Sequence, residues 1–139
     1  MKKKPISLIA LRLLGLQIVY AVVASLFNLA SLRQITLGQP GLTNTSPVAG
    51  LIMMVIILIA AVAGLKGYDK VLLAINLLLI TPLLYSGIFE HLRVIFSSDV
   101  GVLQAPLGIA VAINSFGAIV MTLVVILFIK LEPSKRQLK

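Results

Sequence analysis

The segment 47-PVAGLIMMVIILIAAVAGL-65, 66-KGYDK-70, 71-VLLAINLLLITPLLYSGIF-89 decides the fold. Two uncharged apolar runs are joined by five residues. Each run approaches the ~20 residues that carry a helix across a ~30 Å hydrocarbon core. Neither alternates apolar and polar positions as a membrane β-strand does. A link this short holds only a turn, so the two helices are antiparallel neighbours.

Two more runs flank this hairpin. Ile6 to Ala30 is interrupted by Arg12, Gln17 and Asn28, and Pro106 to Ile129 is almost wholly apolar. The expected fold is an all-α integral membrane protein, a bundle of four transmembrane helices at 6–30, 47–65, 71–97 and 106–129 in one membrane domain covering 1–139. Composition agrees. The chain is 60% hydrophobic and 12% charged, more apolar surface than a soluble domain of 139 residues can bury. The basic start MKKK followed by an apolar run has features of a signal peptide. The run is longer than such a region needs and carries Arg12 within it, so it is read as a retained first helix.

The net charge of +8 raises the question of nucleic acid, and its distribution answers it. Lys2, Lys3, Lys4, Arg12, Lys66, Lys70, Lys130, Lys135, Arg136 and Lys139 fall on one side of the four spans, and only Arg33 and Arg93 on the other. This is the positive-inside pattern, with both termini cytoplasmic in the plasma membrane of a prokaryote. The expected partners are membrane lipids, attracted to the basic side, and other membrane-protein chains or further copies of this one. No nucleic acid is expected, since no aromatics interleave the basic residues.

Within the membrane the expected buried polar and packing residues are Gln17, Asn28, Asn76, Thr81 and Asn114. Gln17, Ala21, Ala24 and Asn28 share one face of the first helix. Small residues let helices approach closely and amides bond across the contact. Ala60 with Gly64 in the second helix, and in the fourth Gly108, Ala112, Ser115 and Gly117, with Asn114 between Ala110 and Ala118 at four-residue steps, read as contact faces. Pro82 predicts a kink in the third helix.

The scarce polar residues gather at 86-SGIFEHLRVIFSSDVG-101. At 100° per residue, Ile88, Phe89, Leu92, Ile95 and Phe96 form an apolar arc of about 120°, with Glu90, His91, Arg93, Ser97 and Ser98 on the other side and Val94 misplaced among them. From Val71 to Ser98 a straight helix spans about 42 Å, which reaches the headgroup layer. Glu90, His91, Arg93 and Asp99 are therefore expected on the external surface, available to a docking partner, with Glu90 and Arg93 paired. The six residues GIFEHL are similar to a stretch of the haem-binding anchor subunits of succinate dehydrogenase. The histidine-bearing motif of an earlier helix in those anchors has no counterpart here, and the chain is not assigned to that family. The resemblance makes His91 a candidate haem ligand, the second axial ligand coming from another chain or from a methionine such as Met53 or Met54.

No cofactor is otherwise called for. The chain has no cysteine, no metal-spaced cluster, no nucleophile with its base, and no phosphate-binding loop. No ionisable side chain falls at mid-membrane, where proton-coupled carriers usually place one. The leading expectation is a non-catalytic accessory or assembly subunit of a larger membrane complex. The alternative is a small oligomeric transporter or channel for a neutral or lipophilic solute, its path lined by the buried amides and Thr81. A third is a redox-chain anchor contacting haem or quinone through His91.

Overall fold

The computed structural model of the protein describes residues 6–97 and 104–136, and among them every regular element is helical. Helix α1 (Leu8–Thr36) starts at Ser7, whose hydroxyl accepts from the Ala10 N–H at 3.1 Å. Helix α2 (Pro47–Leu65) starts at Ser46 with proline in its first turn, where a missing N–H costs nothing. The third span, Asp69–Ile95, is composite. It consists of α3 (Asp69–Leu84), a π-helical turn (Tyr85–Phe89) and α4 (Glu90–Ile95). Helix α5 (Gln104–Arg136) contains the fourth span, Ala105–Lys130. All four spans are long and apolar enough to cross a membrane, and the chain is a multipass helical membrane protein.

Helix α2 ends where its sequence pattern does. Helix α1 runs six residues past the expected boundary at Ala30, because nothing in SLRQIT breaks a helix. It stops at Gly38, whose φ of +73° lets the chain reverse while the Gln39 N–H donates to the Gln34 carbonyl at 3.0 Å. Gly67, with φ +80°, ends α2 in the same way, the Tyr68 N–H donating to the Ala63 carbonyl at 2.8 Å. Both are Schellman ends, which a side chain with a Cβ would strain.

The helices form a ring. Helix α1 packs on α2, α2 on α3, the third span on α5, and α5 back on α1, while the diagonal pairs make no backbone contact. Two apolar layers fill the ring. One, towards the end that carries the 66–70 link, holds Leu14, Ala60, Leu72, Val124 and Phe128. The other holds Tyr20, Met54, Ile57, Leu83 and Met121. The close approaches are made by glycine. A Cβ on Gly117 would overlap the Tyr20 ring, and one on Gly64 would lie 2.8 Å from Leu72 Cδ2. The outer surface carries Leu78, Phe96 and Ile119. In water that coat would drive aggregation; in lipid it is the ordinary solvated surface.

Of the small residues in the fourth span, Ala110 and Ala118 pack inwards on either side of Asn114, joined by Gly117 against Tyr20. Gly108 and Ala112 face outward, and a Cβ on Gly108 would meet nothing within 4 Å. The small residues of one helix cannot all face a single interior, and the asparagine selects which do.

Candidate functional site: a cavity beneath the first loop

Between the two apolar layers Gln17 and Asn76 meet across the diagonal of the ring. The Gln17 Nε2 donates to Asn76 Oδ1 at 2.9 Å, and Asn76 Nδ2 donates back to Gln17 Oε1 at 3.4 Å. Both residues are fully buried, so the reciprocal amide pair is a latch between α1 and α3 that has no alternative partner in water. One layer further towards the loop end, Asn114 joins three elements. Its Oδ1 accepts from the Tyr20 hydroxyl at 3.3 Å, and its Nδ2 donates to the Gly87 carbonyl at 2.7 Å.

That contact falls where the third span leaves α geometry. The Glu90 N–H donates to the Tyr85 carbonyl, five residues back rather than four. The irregularity falls just after Pro82, whose missing N–H already weakens the ladder, rather than at Pro82 itself. Gly87 also admits the Asn114 amide, since a Cβ there would sit 2.9 Å from Asn114 Nδ2.

Above this layer lies a cavity of about 350 Å³ enclosed by the four spans and roofed by the first loop. Its walls come from Ala24, Phe27 and Asn28 of α1, from Gly50, Met53 and Met54 of α2, and from Ala110, Ile113 and Asn114 of α5. The third span supplies Leu83, Ser86, Gly87 and His91. Thr43, Thr45 and Ser46 form the roof. The loop is held down by Ser31, a buried side chain on α1 whose hydroxyl accepts from the Leu42 N–H at 3.0 Å. Among the described residues no aspartate, glutamate, lysine or arginine lines the cavity.

His91 does not lie on the external surface as its helical wheel predicts. It is 2% exposed and lines the cavity, while Phe89 and Phe96 are 67% and 83% exposed. The physical reason is packing. At one edge of the apolar arc Ile88 packs on the core and carries the neighbouring imidazole inward with it, whereas Phe89 and Phe96 at the other edge turn towards lipid. Its Nδ1 is shut off from solvent and has no hydrogen-bond partner. Glu90 and Arg93 form the expected pair, 3.7 Å apart, on the outer side of the same turn. Asp99 lies outside the described residues.

The other expected residues divide. Gln17 and Asn76 satisfy each other below the cavity, and Asn28 and Asn114 line it. Thr81 is exposed on the outer face, five residues and hence about 140° around the helix from Asn76. It joins no interior path. Sequence reasoning missed the loop residues Thr43 and Thr45, the anchor Ser31, and Ser86 with Gly87. Of these only Gly87 carried a signal, as a glycine one turn past a proline inside a span.

Comparison with protein-family models, with curated proteins and with solved structures finds no match to the chain.

Proposed function

We propose that this protein binds a small, neutral, lipophilic molecule in the cavity beneath its first loop and carries or presents it at the membrane. The observation that supports this reading is the lining: amides, hydroxyls, thioethers and one imidazole around about 350 Å³, with no charged side chain among the described residues. A volume of that size lies within the range of small-molecule pockets, which are mostly apolar with a few placed polar groups. An anion or cation would find no counter-charge there, and burying it unpaired would be prohibitive. The layers below, from Tyr20 to the Gln17–Asn76 latch, are filled by side chains. The site is therefore a pocket at one end of the bundle, beneath the first loop, rather than a continuous pore.

Positive-inside charge supports placing the 31–46 loop, and the cavity with it, on the outer side of a prokaryotic plasma membrane with both termini in the cytoplasm. A role as an accessory subunit of a larger membrane complex is the second reading. The outward placement of Gly108 and Ala112 favours it, since small residues on a lipid-facing helix leave room for another helix. Co-purification of stoichiometric membrane partners in mild detergent supports that role; a lone species counts against it.

The test of the first reading uses 1-aminoanthracene, a neutral fluorophore whose emission rises in apolar surroundings. The purified protein is expected to bind it saturably above the detergent background. Ala110→Phe and Ile113→Trp, which each fill the cavity, are expected to abolish that binding while far-UV circular dichroism stays unchanged. Saturable binding that survives both substitutions places the dye elsewhere and removes the reading.

A further inference from the structure

Among the side chains that line the cavity, His91 carries a buried nitrogen that the protein itself leaves unanswered. Asn114 is committed to Tyr20 and Gly87, and the amide nitrogen of Asn28 donates to the Ala24 carbonyl at 2.8 Å. The hydroxyls of Thr43 and Thr45 lie 3.2 Å from each other, and Ser46 caps α2. The Nδ1 of His91, by contrast, is buried and without a partner. Buried polar nitrogens without a partner are rare in folded proteins, and each calls for an explanation. An imidazole could have been replaced at this position by a leucine or phenylalanine with no penalty in lipid. An imidazole on the cavity wall with that nitrogen unpaired is explained by a ligand that completes it.

We infer that the cavity takes a phenol-class headgroup, a flat apolar ring bearing a hydroxyl, with the hydroxyl bonded to His91. This rests on the reading of the cavity as a small-molecule site and names the chemistry of its occupant. A hydroxyl is the group that answers either tautomer of a neutral imidazole. It donates to the bare nitrogen or accepts from the N–H, whereas a carbonyl or an ether serves only one of the two. The ring is selected by the walls. Phe27 of α1 and the thioethers of Met53 and Met54 of α2 line the cavity with His91, and methionine sulfur makes favourable contacts with aromatic rings. Ser86, on the same wall as His91, supplies a second hydroxyl beside the ligand's own.

The experiment is displacement of 1-aminoanthracene by three matched probes, each corrected for partition into micelles. These are 4-hexylphenol, 4-hexylanisole, in which the hydroxyl is capped by a methyl group, and 1-decanol, which has a hydroxyl but no ring. The phenol is expected to displace the dye at least about tenfold more tightly than the anisole, the worth of one well-made hydrogen bond in a dry site. Decanol is expected to fall below the phenol. In His91→Ala the phenol loses its advantage and binds as the anisole does. In His91→Asn, whose amide stands near the position of the imidazole Nδ1, most of the advantage returns. Equal displacement by phenol and anisole in the wild-type protein overturns the inference, whether or not the variants fold, and leaves the cavity reading intact. Equal displacement by phenol and decanol overturns the choice of an aromatic ring. Failure of the dye itself to bind removes the cavity reading, and this inference falls with it.

Discussion

At the scale of single residues, placement of each polar side chain follows from the rule that lipid offers it no hydrogen bond. Gln17 and Asn76, fifty-nine positions apart, turn to each other because nothing else near them can answer an amide. Thr81, short enough to be tolerated, stays on the outer face. The latch gives a quantitative expectation. Gln17→Leu and Asn76→Leu each leave one buried amide alone and lose about 1–2 kcal/mol, whereas the double variant loses clearly less than the sum, with a coupling of about 1 kcal/mol. Unfolding in mixed micelles with increasing SDS, followed by far-UV circular dichroism, measures all three. Additive losses would mean that the amides do not act as a pair. The two buried amides were legible as polar positions in apolar spans. Their pairing was not, since it joins helices that share no backbone contact.

At the scale of elements, the third span shows what one extra residue does. A π turn is an α-helix with a residue inserted, so the helices on either side keep their faces while the turn itself opens a carbonyl. Here Asn114 donates to a carbonyl within the turn, that of Gly87. The geometry predicts an asymmetry in tolerance to deletion. Removing Phe89, a lipid-facing member of the turn, restores α geometry and leaves His91 and Asn76 on their faces, costing about 1–3 kcal/mol for the disturbed Gly87–Asn114 contact. Removing Leu78, equally lipid-facing but within α3, rotates every later residue by about 100° and prevents assembly. Monodispersity on size-exclusion chromatography together with thermal unfolding distinguishes the two. Equal damage from both deletions would show that the turn is not an insertion of this kind. Pro82 announced an irregularity in the sequence. Its location and its use were settled by the helix that packs against it.

At the scale of the whole molecule, the ring of four spans places the cavity and the first loop at one end and the 66–70 link at the other. The charge distribution predicts which end faces out. Because the chain contains no cysteine, single-cysteine variants report this without further engineering. Gln39→Cys is expected to react with a membrane-impermeant maleimide in intact cells, and Lys66→Cys only after permeabilisation. The reverse pattern would place the cavity on the cytoplasmic side. The loop residues that roof the cavity were invisible in the sequence as anything but a turn. A short polar stretch rich in glycine, threonine and serine carries no periodicity, and Thr43 and Thr45 gain their place only when Ser31 ties the loop down.

What the sequence determined by itself was everything that depends on hydropathy summed along the chain: four spans, their helical nature, the tight turn after the second span, and a charge bias that predicts orientation. These are local or cumulative properties, and a short window of sequence contains them. Only the tertiary structure decided which side of each span faces inward. Helix α5 carries small residues on more than one face, and contact with α1 and the π turn chose the face with Asn114. The segment around His91 presents an apolar and a polar arc, and periodicity alone cannot say which of them meets the bundle. Packing turned the segment so that Ile88 and His91 face the bundle while Phe89 and Phe96 face outward, and so made the single histidine of the chain, an expected surface residue, part of the wall of a site.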